Sequence, residues 1–220
     1  MTTTTSSSKS ALIVQGGWEG HEPRLTTDIF LKKLQEQGFG ATVADSLSAL
    51  DDKDYLASFS LIVPNWTMGE LSKDQSGNLS EAVRGGVGLG GFHGGMGDAF
   101  RGNPEYEWMV GGHFVGHPHV GPYAVRRTEA SHPITKPLPE SFEYDSEQYY
   151  MLVDPAIEVL AETTYTYEGQ NIRMPVVWTK QWGEGRVFYS ALGHKAAEFE
   201  SYPMVTEMTV NGMLWAARAF

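Results

Sequence analysis

The chain has 220 residues, 41% of them hydrophobic, which is the size and apolar content of one compact domain. Its 27 acidic residues against 16 basic ones give a net charge of −11, which argues against general binding to nucleic acid or to a membrane surface. Cysteine is absent, so disulfides, thiolate metal sites and thiol nucleophiles are excluded.

The amino-terminal segment is rich in Thr and Ser and lacks the apolar core of a secretory signal. We expect residues 1–10 to be a disordered leader and residues 11–220 to form a single domain. No apolar run approaches the ~20 residues of a transmembrane helix. These observations favour a cytoplasmic location.

The first half of the chain alternates short apolar runs with helical stretches. Helices are predicted to begin at Pro23 and at Ser72, which has the side chain of an N-cap. Strands are predicted at residues 11–14, 41–44, 60–64 and 87–92. This rhythm predicts βαβ units and a parallel sheet covered on both faces.

The second half has strand patterns with few helices between them. Strands are predicted at residues 120–126, 142–150, 157–164, 174–179 and 185–192. The glycine-containing segments at residues 169–171 and 183–185 predict hairpin turns that join antiparallel neighbouring strands. An amphipathic helix closes the chain, with apolar or small residues at spacings of three and four from Val205 to Ala219. The predicted fold is α/β, with a mostly parallel sheet extended by antiparallel strands.

Two glycine-rich motifs overlap around the fourth predicted strand. Residues 86–91 fit G-x-G-x-x-G, but these glycines lie in the strand and not in the turn that opens a helix, so nucleotide binding is not expected. Residues 91–95 have the shape of a nucleophile elbow with His93 as the exposed central side chain. An imidazole there suits acid–base work or metal ligation. The alternative is a structural crossover whose histidine only forms local hydrogen bonds.

A pocket is predicted where the first and third strands end. Gly16, Gly17, Trp18 and His21 follow the first strand, and Trp66 follows the third. Ligands bind at this edge of open α/β sheets, and tryptophan can stack on a sugar face. Packing of Trp18 onto the core is the alternative.

Three histidines cluster at His113, His117 and His119, with spacings that suit metal ligands. Gly, Phe, Val and Pro around them argue against a regular element, and no carboxylate lies within the cluster. A polar loop over a pocket is therefore favoured, with metal binding as the alternative.

An acidic partner is predicted on the strand at residues 142–150. Glu147 has aromatic neighbours that would desolvate it and raise its pKa, whereas Glu143 and Asp145 fit a solvated face. Near the carboxyl end of the last strand, His194 follows a glycine and faces the same edge of the sheet.

Together, the motifs at residues 91–101, 111–118, 146–150, 175–178 and 185–194 closely resemble the trehalose-utilisation (ThuA-like) family. The resemblance implies a class I glutamine-amidotransferase-like fold, a flavodoxin-like three-layer α/β sandwich. His93 takes the position of the catalytic cysteine of such amidotransferases, so glutamine hydrolysis by a thiol is excluded. The family is linked to catabolism of trehalose and related disaccharides, alongside an oxidoreductase that generates 3-keto sugars.

The leading hypothesis is a cytoplasmic enzyme that acts on trehalose-type disaccharides or their 3-keto derivatives. His93, Glu147 and His194 are the expected acid–base residues. The expected substrate-binding residues are Gly16, Gly17, Trp18, His21, Trp66, Asp98, Arg101, His113, His117 and Tyr149. No cofactor is required, a divalent metal is left open, and an exposed strand edge would allow a homodimer.

Two other classes of protein fit the same residues. One is a non-catalytic sugar-binding or interaction module. The other is a metal-dependent hydrolase with His113, His117 or His194 among its ligands.

Overall fold

A computed structural model describes residues 9–128 and 132–220, and within them nine strands form one sheet in the order β2-β1-β3-β4-β9-β8-β7-β5-β6. The strands are β1 (Ser10–Gly17), β2 (Gly40–Ala44), β3 (Leu61–Thr67), β4 (Gly88–Phe92), β5 (Gly112–Arg127), β6 (Ser141–Val153), β7 (Glu158–Tyr167), β8 (Gln170–Trp182) and β9 (Gly185–Ser190). The helices are α1 (Pro23–Glu36), α2 (Lys53–Ala57), α3 (Lys73–Arg84), α4 (His93–Gly97), α5 (Pro104–Val110), α6 (Ala196–Ser201) and α7 (Pro203–Ala216). Short 3₁₀ turns lie at Glu19–His21, Leu47–Leu50 and Pro133–Thr135.

The first five strands of this order run parallel. Four of them are the predicted parallel strands, whereas β9, expected among the antiparallel strands, also pairs in parallel with β4. After β1, the chain adds β2 on one side of β1 and then adds β3 and β4 on the other side. Such a reversal opens a crevice at the carboxyl ends of the strands, between β1 and β3. The crevice lies where the loops after β1 and β3 carry the predicted pocket residues.

Helices cover both faces of the parallel half. On one face α1 packs against β1 and β2, and α7 packs against β4, β9 and α1; on the other, α3 packs against α2, α5 and β9. Aromatic side chains such as Trp178, Tyr189 and Phe30 are completely buried between the layers. Because helices bury both faces of these strands, the strand residues are apolar throughout.

The other half of the sheet is antiparallel, from β9 through β8, β7 and β5 to β6. In the described residues the sheet has four parallel and four antiparallel pairings, so it is mixed and not mostly parallel. The β7–β8 hairpin turns at Glu168 and Gly169, whose φ angles are +47° and +76°. Two left-handed residues are what a tight turn between twisted strands requires, and the turn begins one position before the predicted one.

The histidine-rich segment differs from its prediction. It is not a loop but the first part of β5, paired with β6. The pairing register shifts between Phe114 and Gly116 and again between Gly116 and His119. These bulges let the strand accommodate glycine and proline, which the sequence pattern treated as breakers.

Residues 1–8 of the predicted leader lie outside the described residues, and its last residue, Ser10, already belongs to β1. Among the residues that the structure describes, no helix is long and apolar enough to cross a membrane.

Candidate active site

A cluster of imidazoles surrounds one carboxylate at the carboxyl edge of the parallel strands. His21 comes from the turn after β1, His93 from the junction of β4 and α4, and His194 from the loop after β9. The carboxylate is Glu147 on β6, and His117 on β5 joins it. The antiparallel half of the sheet thus supplies the carboxylate, and the parallel half supplies three of the histidines.

His93 lies on the predicted strand-to-helix elbow, and its φ of +43° confirms the strained backbone. The expected exposure of the side chain is wrong, since only 1% of the residue is accessible to solvent. Its Nδ1 lies 2.9 Å from the carbonyl oxygen of Ala191, and its Nε2 lies 3.3 Å from Oε2 of Glu147. The ring stacks on Tyr149 at 4.0 Å between centroids. His93 is therefore held on three sides.

The surroundings of Glu147 set its charge. A carbonyl oxygen only accepts, so Nδ1 of His93 donates to Ala191 and its Nε2 faces Glu147. Burial raises the pKa of the Glu147 carboxyl, but the hydrogen bond with His93 and the neighbouring imidazoles outweigh burial and lower it to about 2. The predicted rise in this pKa is thus wrong, because imidazoles face the carboxylate. Glu147 is therefore ionised at neutral pH.

Two other imidazoles, the buried His21 and the half-buried His194, are neutral at neutral pH. Burial, and then the neighbouring His93 and His194, lower the pKa of His21 to about 3. Burial and His93 also lower the pKa of His194. The site therefore combines an ionised carboxylate, Glu147, with two neutral imidazoles, His21 and His194, that can accept protons.

A neighbouring hydroxyl fixes the His21 ring. Nδ1 of His21 lies 2.7 Å from Oγ1 of Thr67, the last residue of β3, which leaves Nε2 as the other ring nitrogen. Nε2 of His194 lies 3.8 Å from Oε1 of Glu147, beyond hydrogen-bond distance.

Glu198 organises this site and was missed by the sequence reasoning. Its Oε2 accepts hydrogen bonds from the Tyr144 hydroxyl at 2.6 Å and from the His194 backbone N–H at 3.0 Å. Its Oε1 accepts one from the Ser146 hydroxyl at 2.9 Å. Glu198 thereby ties β6 to the loop that carries His194. The available signal was the spacing of four residues between His194 and Glu198 at a helix start.

Two predicted residues of the histidine segment, His117 and His113, lie in different surroundings. Nε2 of His117 lies 3.6 Å from Oε1 of Glu147, at the exposed rim of the cluster. His113 points elsewhere, with Nδ1 3.3 Å from Oε2 of Glu107 on α5. We therefore find no contact of His113 with the cluster in the described residues.

The aromatic residues predicted to stack on sugar have different surroundings. Trp18 is 47% exposed and its ring lies edge-on to His21 at 4.7 Å, so it can form the rim of a binding site. Tyr149 is buried between His93 and Phe114, where it packs against the His93 ring. Trp66 is half-buried, and its ring lies over Gly16.

Gly16 and Gly17 allow close packing between β1 and β3. A Cβ at Gly16 would lie 2.5 Å from the Trp66 ring, and one at Gly17 would lie 2.1 Å from the Thr67 carbonyl oxygen. Their observed role is to position these neighbours.

Asp98 and Arg101 form a bidentate pair, with N–O distances of 2.5 and 2.8 Å. Asp98 is buried, whereas the guanidinium is half exposed and lies 5.8 Å from the Phe114 ring centroid. This guanidinium is the positive group next to the aromatic stack of the site.

Residues 10–216 match the model of the ThuA family, described as trehalose utilisation. The chain belongs to this family. No curated protein matches the chain.

Solved structures with the same fold include two ThuA-like proteins. The protein from Bacteroides uniformis is 22% identical with a TM-score of 0.78, over 98% of this chain and 94% of that one. The protein from Parabacteroides merdae is 19% identical with a TM-score of 0.77, over 96% and 90%. A β-galactosidase from Bacillus circulans is 13% identical with a TM-score of 0.58, over 96% of this chain but only 31% of the enzyme. At these identities the likeness shows the fold alone.

In this ThuA family member, replacing Gly94 by alanine should destabilise the site. The new Cβ would lie 2.2 Å from Cε1 of His21, and displacing that packed ring should cost about 1–3 kcal/mol. Chemical unfolding of Gly94→Ala beside Gly40→Ala measures this cost, because a Cβ at Gly40 meets nothing within 4 Å. Equal stability of the two variants would show that His21 does not depend on the glycine.

Proposed function

We propose that the protein acts in carbohydrate catabolism, on trehalose-type disaccharides or their 3-keto derivatives, by acid–base chemistry. The family supports the carbohydrate setting. One observation carries the chemistry: the neutral imidazole of His194 faces an ionised carboxylate, Glu147, at 3.8 Å, and His93 holds that carboxylate in place. A poised base beside a fixed negative charge suits proton abstraction near pH 7.

The proposed step is an elimination from a 3-keto disaccharide. His194 takes the proton from the carbon next to the ketone, and the electron pair of that C–H bond forms a carbon–carbon double bond as the glycosidic C–O bond breaks. The same imidazole then returns its proton to the departing sugar oxygen. Glu147 stabilises the imidazolium that exists between these transfers, and no oxidant is consumed.

The wider setting follows as a proposal from the family and the fold. An oxidoreductase would supply the keto group, and both reactions would take place in the cytoplasm. The parallel half has the strand order of flavodoxin-like sheets, which supports the class I amidotransferase-like relationship. We propose that the reaction needs no cofactor, and β6 at the edge of the sheet would allow a homodimer.

The test is incubation of purified protein with 3-keto-trehalose, followed by proton NMR, with a chelator-treated sample in parallel. New sugar resonances at equal rates in both samples are the expected result. His93→Ala should slow them strongly, because Glu147 loses the hydrogen bond that positions it. Unchanged turnover in His93→Ala would overturn the mechanism, and binding without any product would favour a sugar-binding module.

A metal-dependent hydrolase is the second candidate, favoured by a different observation. Ligand atoms of His21, Glu147 and His194 all lie within 4.8 Å of one another. Two imidazoles and one carboxylate, with a water as fourth ligand, are a known donor set of catalytic zinc. His113, one ligand suggested by the sequence, lies outside this group.

Elemental analysis separates the two candidates. Protein loaded with Zn²⁺ and freed of excess would retain about one equivalent for a metal site, and His194→Gln would retain much less. Turnover lost only in the chelated sample would agree with that result. No retained metal in the unsubstituted protein would reject this candidate.

A further inference from the structure

His21 presents a ring nitrogen without a partner to the imidazole cluster. The residue is 7% exposed, and in the described part of the chain its Nε2 forms no hydrogen bond. Among the described residues, the one fully enclosed side-chain nitrogen or oxygen that lacks a partner is Oε1 of Gln15. Nε2 of His21 is therefore not enclosed, and it faces open space that a ligand atom can occupy.

The hydroxyl of Thr67 determines which nitrogen of His21 carries the hydrogen. Its Oγ1 lies 2.7 Å from Nδ1 of His21, the one hydrogen-bond partner of this hydroxyl among the described residues. Thr67 is 1% exposed, so bulk solvent offers no other acceptor. A hydrogen on Nδ1 would leave the buried hydroxyl without an acceptor, which is unfavourable. The hydroxyl therefore donates to Nδ1, and the single hydrogen of the neutral ring lies on Nε2.

Neighbouring groups hold the His21 ring in this orientation. The rings of Trp18 and His93 lie edge-on to it, at 4.7 and 4.9 Å between centroids. A Cβ on Gly94 would lie 2.4 Å from Nδ1, so the backbone of α4 passes directly beside the ring. A rotation that exchanged the two nitrogens would also break the hydrogen bond with Thr67. The N–H group of Nε2 is thus fixed towards the open space.

The His21 ring is a donor without charge. Burial, and then His93 and His194, lower its pKa to about 3, so it does not become an imidazolium at neutral pH. A neutral imidazole can stabilise negative charge that develops on a ligand oxygen while it keeps its own hydrogen. This role differs from that of a base, which must take up a proton.

His194 supplies the matching base. One ring nitrogen of His21 and one of His194 lie within 4.8 Å of each other, and the two rings are perpendicular at 5.2 Å between centroids. A carbonyl oxygen and the hydrogen on the neighbouring carbon can therefore contact one imidazole each. When a base removes that hydrogen as a proton, the electron pair of the C–H bond moves towards the carbonyl group, and negative charge develops on its oxygen.

We propose that the Nε2–H group of His21 donates a hydrogen bond to the carbonyl oxygen of the substrate, with Thr67 as the positioning residue that keeps the hydrogen on Nε2. The substrate class follows from this donor and the base beside it: a carbonyl compound with a removable proton on the neighbouring carbon. The assignment rests on the proposed function insofar as His194 removes that proton. No proton leaves His21 in this step.

The first measurement is the tautomer of His21, from proton–nitrogen correlation NMR of isotope-labelled protein. The expected pattern has hydrogen on Nε2 and none on Nδ1, and the spectrum of His21→Gln identifies the signals by their absence. Saturating 3-keto-trehalose, added to His194→Gln so that turnover is slow, should shift the Nε2 resonance. Hydrogen on Nδ1, or no shift with the ketone, would overturn the donor.

Rates with 3-keto-trehalose distinguish a donor from a base or a metal ligand. His21→Leu should lower kcat by about 10²–10³-fold, the usual effect of removing one such donor, whereas His21→Gln should stay within about tenfold of the unsubstituted protein. The glutamine amide keeps an N–H group near the position of Nε2 but is not a base. Equal losses in the two variants would contradict the proposal.

The positioning role of Thr67 has its own test. Thr67→Val keeps the shape but removes the hydroxyl, so His21 should show both tautomers and kcat should fall, and Thr67→Ser should restore both. Thr209→Val is the matched control, because Thr209 is buried and its hydroxyl donates to the Val205 carbonyl oxygen within α7. An unchanged tautomer in Thr67→Val would remove Thr67 from the proposal. A ketone that shifts Nε2 but is never converted would count against the proposed chemistry and leave the donor standing.

Discussion

Replacing His194 by glutamine should lower kcat/KM on 3-keto-trehalose by about 10²–10⁴-fold, the usual contribution of a general acid–base residue. Glutamine keeps a polar side chain of similar length but cannot accept and return a proton. Steady-state rates from proton NMR, with circular dichroism as a check on folding, give the measurement.

The pH dependence of kcat/KM for the unsubstituted protein provides an independent readout. Because burial and His93 lower the pKa of His194, its base form persists below pH 6.5. The acidic limb of kcat/KM should therefore have its midpoint below that value. His119→Gln is the control, since the His119 side chain is exposed and its Nε2 lies 3.3 Å from the carbonyl oxygen of Pro122, away from the cluster. Similar rates in the two variants would remove His194 from the mechanism.

The second large effect concerns stability in acid. Lowering the pH from 6.5 to 4.5 should cost about 2 kcal/mol of unfolding free energy through His21 alone. The pKa of His21 is about 3 in the folded protein and 6.5 when unfolded, so only the unfolded chain binds the proton in this range. The stabilisation is complete above pH 6.5 and is lost as the pH falls towards 3.

Protonation of Glu147 lowers the unfolding free energy further, at a lower pH than protonation of His21 in the unfolded chain does. Its folded pKa is about 2 against an ordinary 4.5, so its contribution is present above pH 4.5 and disappears below that value. The interval between pH 4.5 and 6.5 therefore isolates the histidines. Denaturant unfolding at several pH values measures the slope.

His21→Gln should flatten that slope, whereas His119→Gln should leave it unchanged because His119 is exposed. A slope that stays the same in His21→Gln would show that the imidazole at this position does not resist protonation in the folded state.

Local patterns predicted most of the fold. Apolar runs identified the strands that helices cover on both faces, and the Ser72 side chain forms the predicted cap of α3 by accepting from the Gln75 N–H. The start of β5 was missed, because bulges are set by pairing with β6 and not by local propensity. The balance of parallel and antiparallel pairings also depends on contacts far apart in sequence.

The site, like the fold, was predicted only in part, because contacts between residues far apart in sequence complete it. Sequence position placed His93, His194 and His21 at one edge of the sheet, because parallel strands end together. It could not show that His93 would be buried under Tyr149 or that His113 would turn to Glu107. The sign of the Glu147 pKa shift was missed because the neighbours that decide it lie 54 and 47 residues away along the chain.

The position of β9 governs when the imidazole cluster can form during synthesis. This last strand lies between β4 and β8, and the residue that follows it accepts the hydrogen bond from His93, 98 positions earlier. Until the ribosome has released β9, both β4 and β8 have an unpaired edge, and His93 lacks its anchor. A nascent or truncated chain that ends before Gly185 therefore lacks a complete imidazole cluster and exposes two strand edges that favour aggregation, so the cluster is among the last parts of the molecule to assemble.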